Sequence, residues 1–147
     1  MQLTLYTPFK WLSINNKELE KLFIEQTEFT PEVSFDHVLH ELRITGVSRP
    51  EDVGNFYNPA LSWLNGYKDF LAANKASSPI IVEFFFNYFN SASAKMILQL
   101  LEIIKEMSDE GNVFVINWIF EDGDEQVKED GEELAFALDL DFNYYPR

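Results

Sequence analysis

The chain has 147 residues, enough for one domain with a sizeable core, and its 46% hydrophobic and 16% aromatic content, with 14 Phe, excludes a disordered segment. Its 25 acidic and 11 basic residues leave a formal charge of −14, which repels phosphate backbones and anionic lipid heads, so neither nucleic acid nor membrane is an expected partner. The absence of Cys excludes disulfides, thiolate metal sites and a Cys nucleophile.

The first ten residues lack a basic region followed by a long apolar run, and no stretch reaches membrane-spanning length. A cytoplasmic protein is therefore expected. Residues 1–23 read as an extension that packs on or leads into a domain at 24–147, with a short helix near Lys17 to Leu22. Leu22 to Gln26 suggests a first strand. Val33 to Asp36 and Leu39 to Thr45 alternate apolar and polar positions as a two-stranded ribbon does, with Gly46 ending it.

Ser48-Arg49-Pro50-Glu51 has the make-up of a helix start: a capping hydroxyl, a Pro in the first turn and a Glu that reaches back. Asn58-Pro59 predicts an interruption and a second start. Leu61, Leu64, Lys68 and Leu71 follow at helical spacing, and Ser77-Ser78-Pro79 closes the region. Phe56, Tyr57 and Trp63 are expected in the core, because an aromatic-rich chain must bury most of its rings. Left exposed, they would instead suit a structural or dimerisation module.

Ile80 to Phe89 is nearly all apolar and reads as a strand buried on both faces. From Ser91 the period changes to 3.6, with Met96, Ile97, Leu100, Leu101, Ile104 and Met107 on one face until Gly111 stops the helix. Val113 to Phe120 is a further buried strand. A third helix over about Asp124 to Leu138 and a short strand over Phe142 to Tyr145 complete the order β-β-β-α-β-α-β-α-β. The fold class is α/β: one domain, a mixed sheet of five or six strands, and a βαβ unit at 80–120 with parallel strands. Parallel strands end on one edge, so Asn90-Ser91 and Glu121-Asp122 are expected near one another, where such sheets place their sites.

The strand-to-helix junction Asn90-Ser91-Ala92-Ser93-Ala94-Lys95 is the sharpest local feature. A phosphate on Ser91 would face unpaired helix N–H groups and the positive end of the helix dipole, with Lys95 one turn on. The plainer reading makes Asn90 or Ser91 only a helix cap. Residues 121–133 hold eight carboxylates and one Lys. They suit Mg²⁺ recruitment or a basic partner surface, but a solvated helix face is the simpler account. His37 and His40 lack an evident third metal ligand. No phosphate-binding Gly loop, Ser elbow or singular acid–base pair marks an enzyme.

Several separated motifs resemble one family. Thr30-Pro31-Glu32-Val33-Ser34-Phe35-Asp36, the run Leu42 to Glu51, Phe56-Tyr57-Asn58-Pro59, Trp63-Leu64, Tyr67 and Tyr88-Phe89-Asn90-Ser91 are similar to the SiaC family of bacterial regulatory phosphoproteins, as are Glu121 to Glu125 and Gly131-Glu132. The resemblance spans about residues 24 to 143. It implies a non-catalytic α/β adaptor somewhat like anti-sigma-factor antagonists, with no cofactor. It also implies a Ser/Thr kinase and a PP2C-like phosphatase that set its state, and a diguanylate cyclase activated by the unphosphorylated form, favouring biofilm through cyclic di-GMP. The family's acceptor position falls on Ser91, but this chain has Ser91-Ala92-Ser93-Ala94 where members usually carry Thr then Ser-Ser, so Ser93 is a second candidate. Gly46-Val47-Ser48 replaces the usual Gly-Arg-Ser, with Arg49 only afterwards.

The expected partner-binding residues are accordingly Asn90, Lys95, Arg49, Glu51, Glu121 and Asp122. The competing reading is a small metal-dependent enzyme or metal-binding protein built on the acidic edge at 121–125.

Overall fold

Six strands in sequential spatial order form the sheet of this protein, whose computed structural model describes residues 18–147. Strands β1 (Leu22–Ile24), β2 (Glu32–Asp36) and β3 (Glu41–Ser48) pair antiparallel. From β3 onward every pairing is parallel: β4 (Ile80–Phe89), β5 (Phe114–Phe120) and β6 (Phe142–Pro146). Each parallel step needs a crossover, supplied in turn by α1 (Val53–Ala73), α2 (Ser91–Asp109) and α3 (Glu125–Leu138).

The core lies between the sheet and the layer formed by these three helices. Alternate residues of each strand point into it: Val33 and Phe35, Leu42 and Ile44, Val82, Phe84 and Phe86, Ile116 and Trp118. The residues between them are less buried. Ile81, Glu83 and Phe85 on β4 are only partly covered, so β4 is enclosed on one face where burial on both was expected. The described helices lie on one side of the sheet, and on the other Arg43 pairs with Glu41 at 3.1 Å and Glu83 at 3.6 Å.

Trp118 sits at the centre of the packing. Its ring stacks on Phe142 at 5.8 Å and lies 5.6 Å from Phe84, while its indole N–H donates to the Val127 carbonyl at 2.9 Å. Helix α3 approaches closely because residue 131 is Gly: a Cβ there would stand 2.5 Å from the indole ring. Tyr57 and Trp63 are buried as expected, and Phe56 is partly so.

Several boundaries differ from the sequence expectation for identifiable reasons. Ser48 does not open a helix but ends β3 inside the core, and Asp52 caps α1 by accepting from the Asn55 N–H at 3.0 Å. The α1 helix runs through Pro59 unbroken. The bond lost to Pro belongs to the carbonyl of Asn55, an exposed residue, where water can replace it. Gly46 does not end β3. It lies at φ +127°, and the pairing slips there, so that Gly46 faces Phe86 and Val47 faces Tyr88. Residues 18–21 are not helical. Leu19 instead lies against Gly66, and the Glu20 carbonyl accepts from the Trp63 indole N–H. The rest of the expected extension, residues 1–17, lies outside the described residues.

Candidate functional site

The site is built at the junction of β4 and α2. The extended backbone of Asn90 caps the helix: its Oδ1 accepts from the Ser93 N–H at 2.8 Å, and its carbonyl accepts from the Ala94 N–H at 2.9 Å. Those bonds leave the N–H groups of Ser91 and Ala92 as the unclaimed donors of the first turn. Ser91 itself is exposed.

The second candidate, Ser93, is in the opposite situation. It is 0% exposed, as is Ser48. The Ser93 hydroxyl donates to the Ser48 carbonyl at 3.1 Å and accepts from the Ser48 hydroxyl at 2.8 Å. With its one proton so committed, the Ser48 oxygen accepts from Tyr57 at 2.6 Å. The Asn90 N–H donates to the same Ser48 carbonyl at 3.1 Å. A directional chain therefore runs from α1 through β3 to α2 with each member satisfied. Burial pushes the Tyr57 phenol up to about 12, opposed in part by its hydroxyl partners.

The other expected residues scatter. Lys95 is exposed one turn beyond Ser91 and forms no ion pair among the described residues. Glu121 is exposed and accepts from the Asn87 amide at 3.4 Å, so the ends of β4 and β5 do meet on one edge. The Asp122 N–H donates to the Arg147 carbonyl at 3.0 Å. Arg49 stacks its guanidinium 5.1 Å above the Phe29 ring. Glu51 borders a separate depression near Ile24 and Phe56, at the start of α1.

What sequence reasoning missed is a cleft between α2 and α3. It holds about 460 Å³ and has Ser91 on its wall. Phe89, Ala94 and Leu98 supply one side, and Leu134 and Ala137 the other. Its carboxylates are Asp130 and Glu133, not the Glu121–Asp122 pair expected beside the serine. The signal was faint, because Leu134 belongs to the apolar face of α3 that packs on the core and only Ala137, three residues on, extends that face toward the cleft.

Among the described residues no three His, Asp or Glu side chains converge as a metal's donor set. His40 bonds instead to the Tyr67 hydroxyl, and His37 packs edge-on against Phe70. No helix among the described residues is long and apolar enough to cross a membrane.

Known proteins share this architecture. A family model described as SiaC family regulatory phosphoprotein matches residues 24–147. An uncharacterized protein of Pseudomonas aeruginosa strain UCBPP-PA14 is 25% identical over 126 residues, covering 86% of this chain and 94% of that one. Two solved structures are similar at 21% identity, a level that speaks to the fold alone. The crystal structure of apo-SiaC from Pseudomonas aeruginosa superposes with a TM-score of 0.74, covering 86% of this chain and 98% of that one. The structure of the diguanylate cyclase SiaD in complex with its activator SiaC, from the same organism, matches with a TM-score of 0.75, covering 86% and 99%.

Proposed function

The chain belongs to the SiaC family of regulatory phosphoproteins, and on that premise we propose that it is a non-catalytic adaptor whose acceptor is Ser91 and whose effector is a diguanylate cyclase. The observation that carries this reading is the contrast between two serines two residues apart. Ser91 presents its hydroxyl to solvent at the first turn of α2, while Ser93 has its own hydroxyl sealed and bonded. A kinase needs the first arrangement.

Phosphorylation would place roughly −1.5 to −2 charges beside the open N–H groups of Ser91 and Ala92, with Lys95 in reach one turn on. The same charge would stand on the wall of the α2–α3 cleft, so modification alters a surface without requiring a change of fold. A dedicated Ser/Thr kinase and a PP2C-like phosphatase set the state in this scheme. The effector assignment is supported by the relative whose partner is a diguanylate cyclase.

The test pairs the purified chain with a Ser/Thr kinase purified from the same organism. Wild type takes up one phosphate and Ser91→Ala takes up none. Equal labelling of the two proteins would sink the assignment. Unmodified chain raises cyclic di-GMP synthesis by the cognate cyclase, and fully phosphorylated chain does not.

A further inference from the structure

We infer that the α2–α3 cleft seats a helical turn of the effector, one that lays an aliphatic side chain on its apolar lining and sets a Lys or Arg against Asp130 and Glu133. This rests on the adaptor reading above and adds to it the chemistry of the docking segment. At about 460 Å³ the cleft is of the size in which proteins hold bound groups. The surface an entering side chain would lie on is apolar, with Phe89 and Leu98 on one side and Leu134 on the other. Beyond Glu133 by one turn, Phe136 is 89% exposed, the most exposed large apolar side chain among the described residues.

The carboxylates decide the sign of the partner. Neither Asp130 nor Glu133 forms an ion pair among the described residues. Asp130 is held in place by the Gln126 amide at 2.9 Å, which orients it without neutralising it. An uncharged or acidic segment entering the cleft would strip water from both carboxylates and return nothing, whereas a basic one compensates them. Apart from Phe89 and Asn90 at the strand end and the open first-turn N–H groups of Ser91 and Ala92, the walls are faces of α2 and α3 whose backbone groups bond within their own helices, so a strand finds no continuous edge to pair with and an amphipathic helix does fit. At the far end the Lys105 ammonium reaches the Asp139 carbonyl at 3.3 Å and ties the two helices together. Ser91 lines the cleft, so a phosphate there would charge the wall against which the aliphatic group must lie.

The experiment measures binding of the full chain to the cognate diguanylate cyclase by calorimetry. Four proteins are compared: wild type, Asp130→Asn/Glu133→Gln, Leu98→Glu, and Glu25→Gln/Glu28→Gln as a control with the same charge change at distant exposed sites. Both cleft variants are expected to bind roughly tenfold or more weakly. The control binds like wild type, and kinase labelling of Ser91 is unchanged in all four. Should Leu98→Glu fail to fold, the near-isosteric carboxamide pair decides. Wild-type affinity in the cleft variants overturns the cleft while leaving the adaptor reading standing. Lost labelling with intact cyclase binding also overturns it, by giving the cleft to the kinase. If wild type itself does not bind the cyclase, the effector reading falls and this inference falls with it.

Discussion

The Ser93 hydroxyl donates to the main-chain carbonyl of Ser48, 45 residues earlier in the chain, and accepts from that residue's own hydroxyl. The start of α2 is thereby fastened to the end of β3 by side chains, and Ser91 is positioned by two elements that are remote in sequence. The fastening explains why one serine of the pair is sealed and the other open.

Removing that link should weaken the domain without removing the Ser91 hydroxyl. Ser93→Ala leaves the Ser48 hydroxyl without its acceptor in a buried site, for a loss of roughly 1–3 kcal/mol. Urea denaturation should show a lower midpoint with an unchanged slope. With Ser91 as the proposed acceptor, kinase labelling under native conditions should persist at one phosphate, because the Ser91 hydroxyl is untouched. A variant that keeps full stability but loses labelling would contradict this division of roles.

Tyr57 gives the chain a signature in alkali. Its ordinary value is 10.0, and burial in the folded state raises it to about 12. Below pH 10 the phenol is protonated in both states and its contribution is fully present. As pH rises from there through about 12, the unfolded chain releases a proton that the folded one keeps, so stability falls. The accumulated loss from this one group is on the order of 2–3 kcal/mol. Tyr57→Phe lacks it, so the mutant should lose less stability than wild type between pH 9 and about 11.5 in parallel denaturation series, while starting about 1 kcal/mol lower at neutral pH.

Gly131 is a place where a methyl group should be felt. In Gly131→Ala the new Cβ meets Trp118 ring atoms at 2.5–2.6 Å, and the ring is held by Phe84, Phe142 and its own hydrogen bond to Val127. Overpacking of this kind costs typically 1–3 kcal/mol, against a helix-propensity gain of about 1. Melting temperature should fall by several degrees. The comparison is Gly54→Ala, also helical, whose nearest neighbour is the Asp52 carboxylate at 3.8 Å. That variant should melt at or slightly above wild type.

Lys95 should matter to the phosphorylated chain more than to the unmodified one. It stands at i+4 from Ser91 on an exposed face. Phosphorylation is expected to raise the stability of wild type by roughly 0.5–1 kcal/mol through the helix dipole and this cation, an effect that high salt reduces. Lys95→Ala should shrink the phosphorylation-dependent gain and leave the unmodified melting temperature within error of wild type.

The parts legible in the sequence are those set by local patterning. The change from strand to a 3.6-residue period at Ser91 fixes both the βαβ unit and the exposed junction. The parts that were not legible depend on partners far along the chain. Ser48-Arg49-Pro50-Glu51 has a helix start's composition, yet Asp52 offers the same capping chemistry four residues later. What draws Ser48 inward is Tyr57, nine residues on, and Ser93, 45 residues on. The apolar outward positions of β4, Ile81 and Phe85, gave no hint that the described helices all lie on the other face. Asp130 and Glu133 resembled a solvated helix face because their neighbour across the cleft, Leu98, belongs to another helix.

The slip at Gly46 bears on all of this. Because Val47 pairs with Tyr88 rather than Asn87, Ser48 falls opposite Phe89 and its carbonyl meets the N–H of Asn90. Any Cβ at residue 46 would sit 3.2 Å from the Gln26 side chain in a backbone conformation that L-residues rarely adopt. A single residue with no side chain therefore sets the phase between two strands, and a change of phase by one step would exchange Tyr88 with Phe89 and carry Ser48 away from the helix it secures. Where Ser91 stands is in this sense decided at a glycine far earlier in the chain, by the register of a sheet.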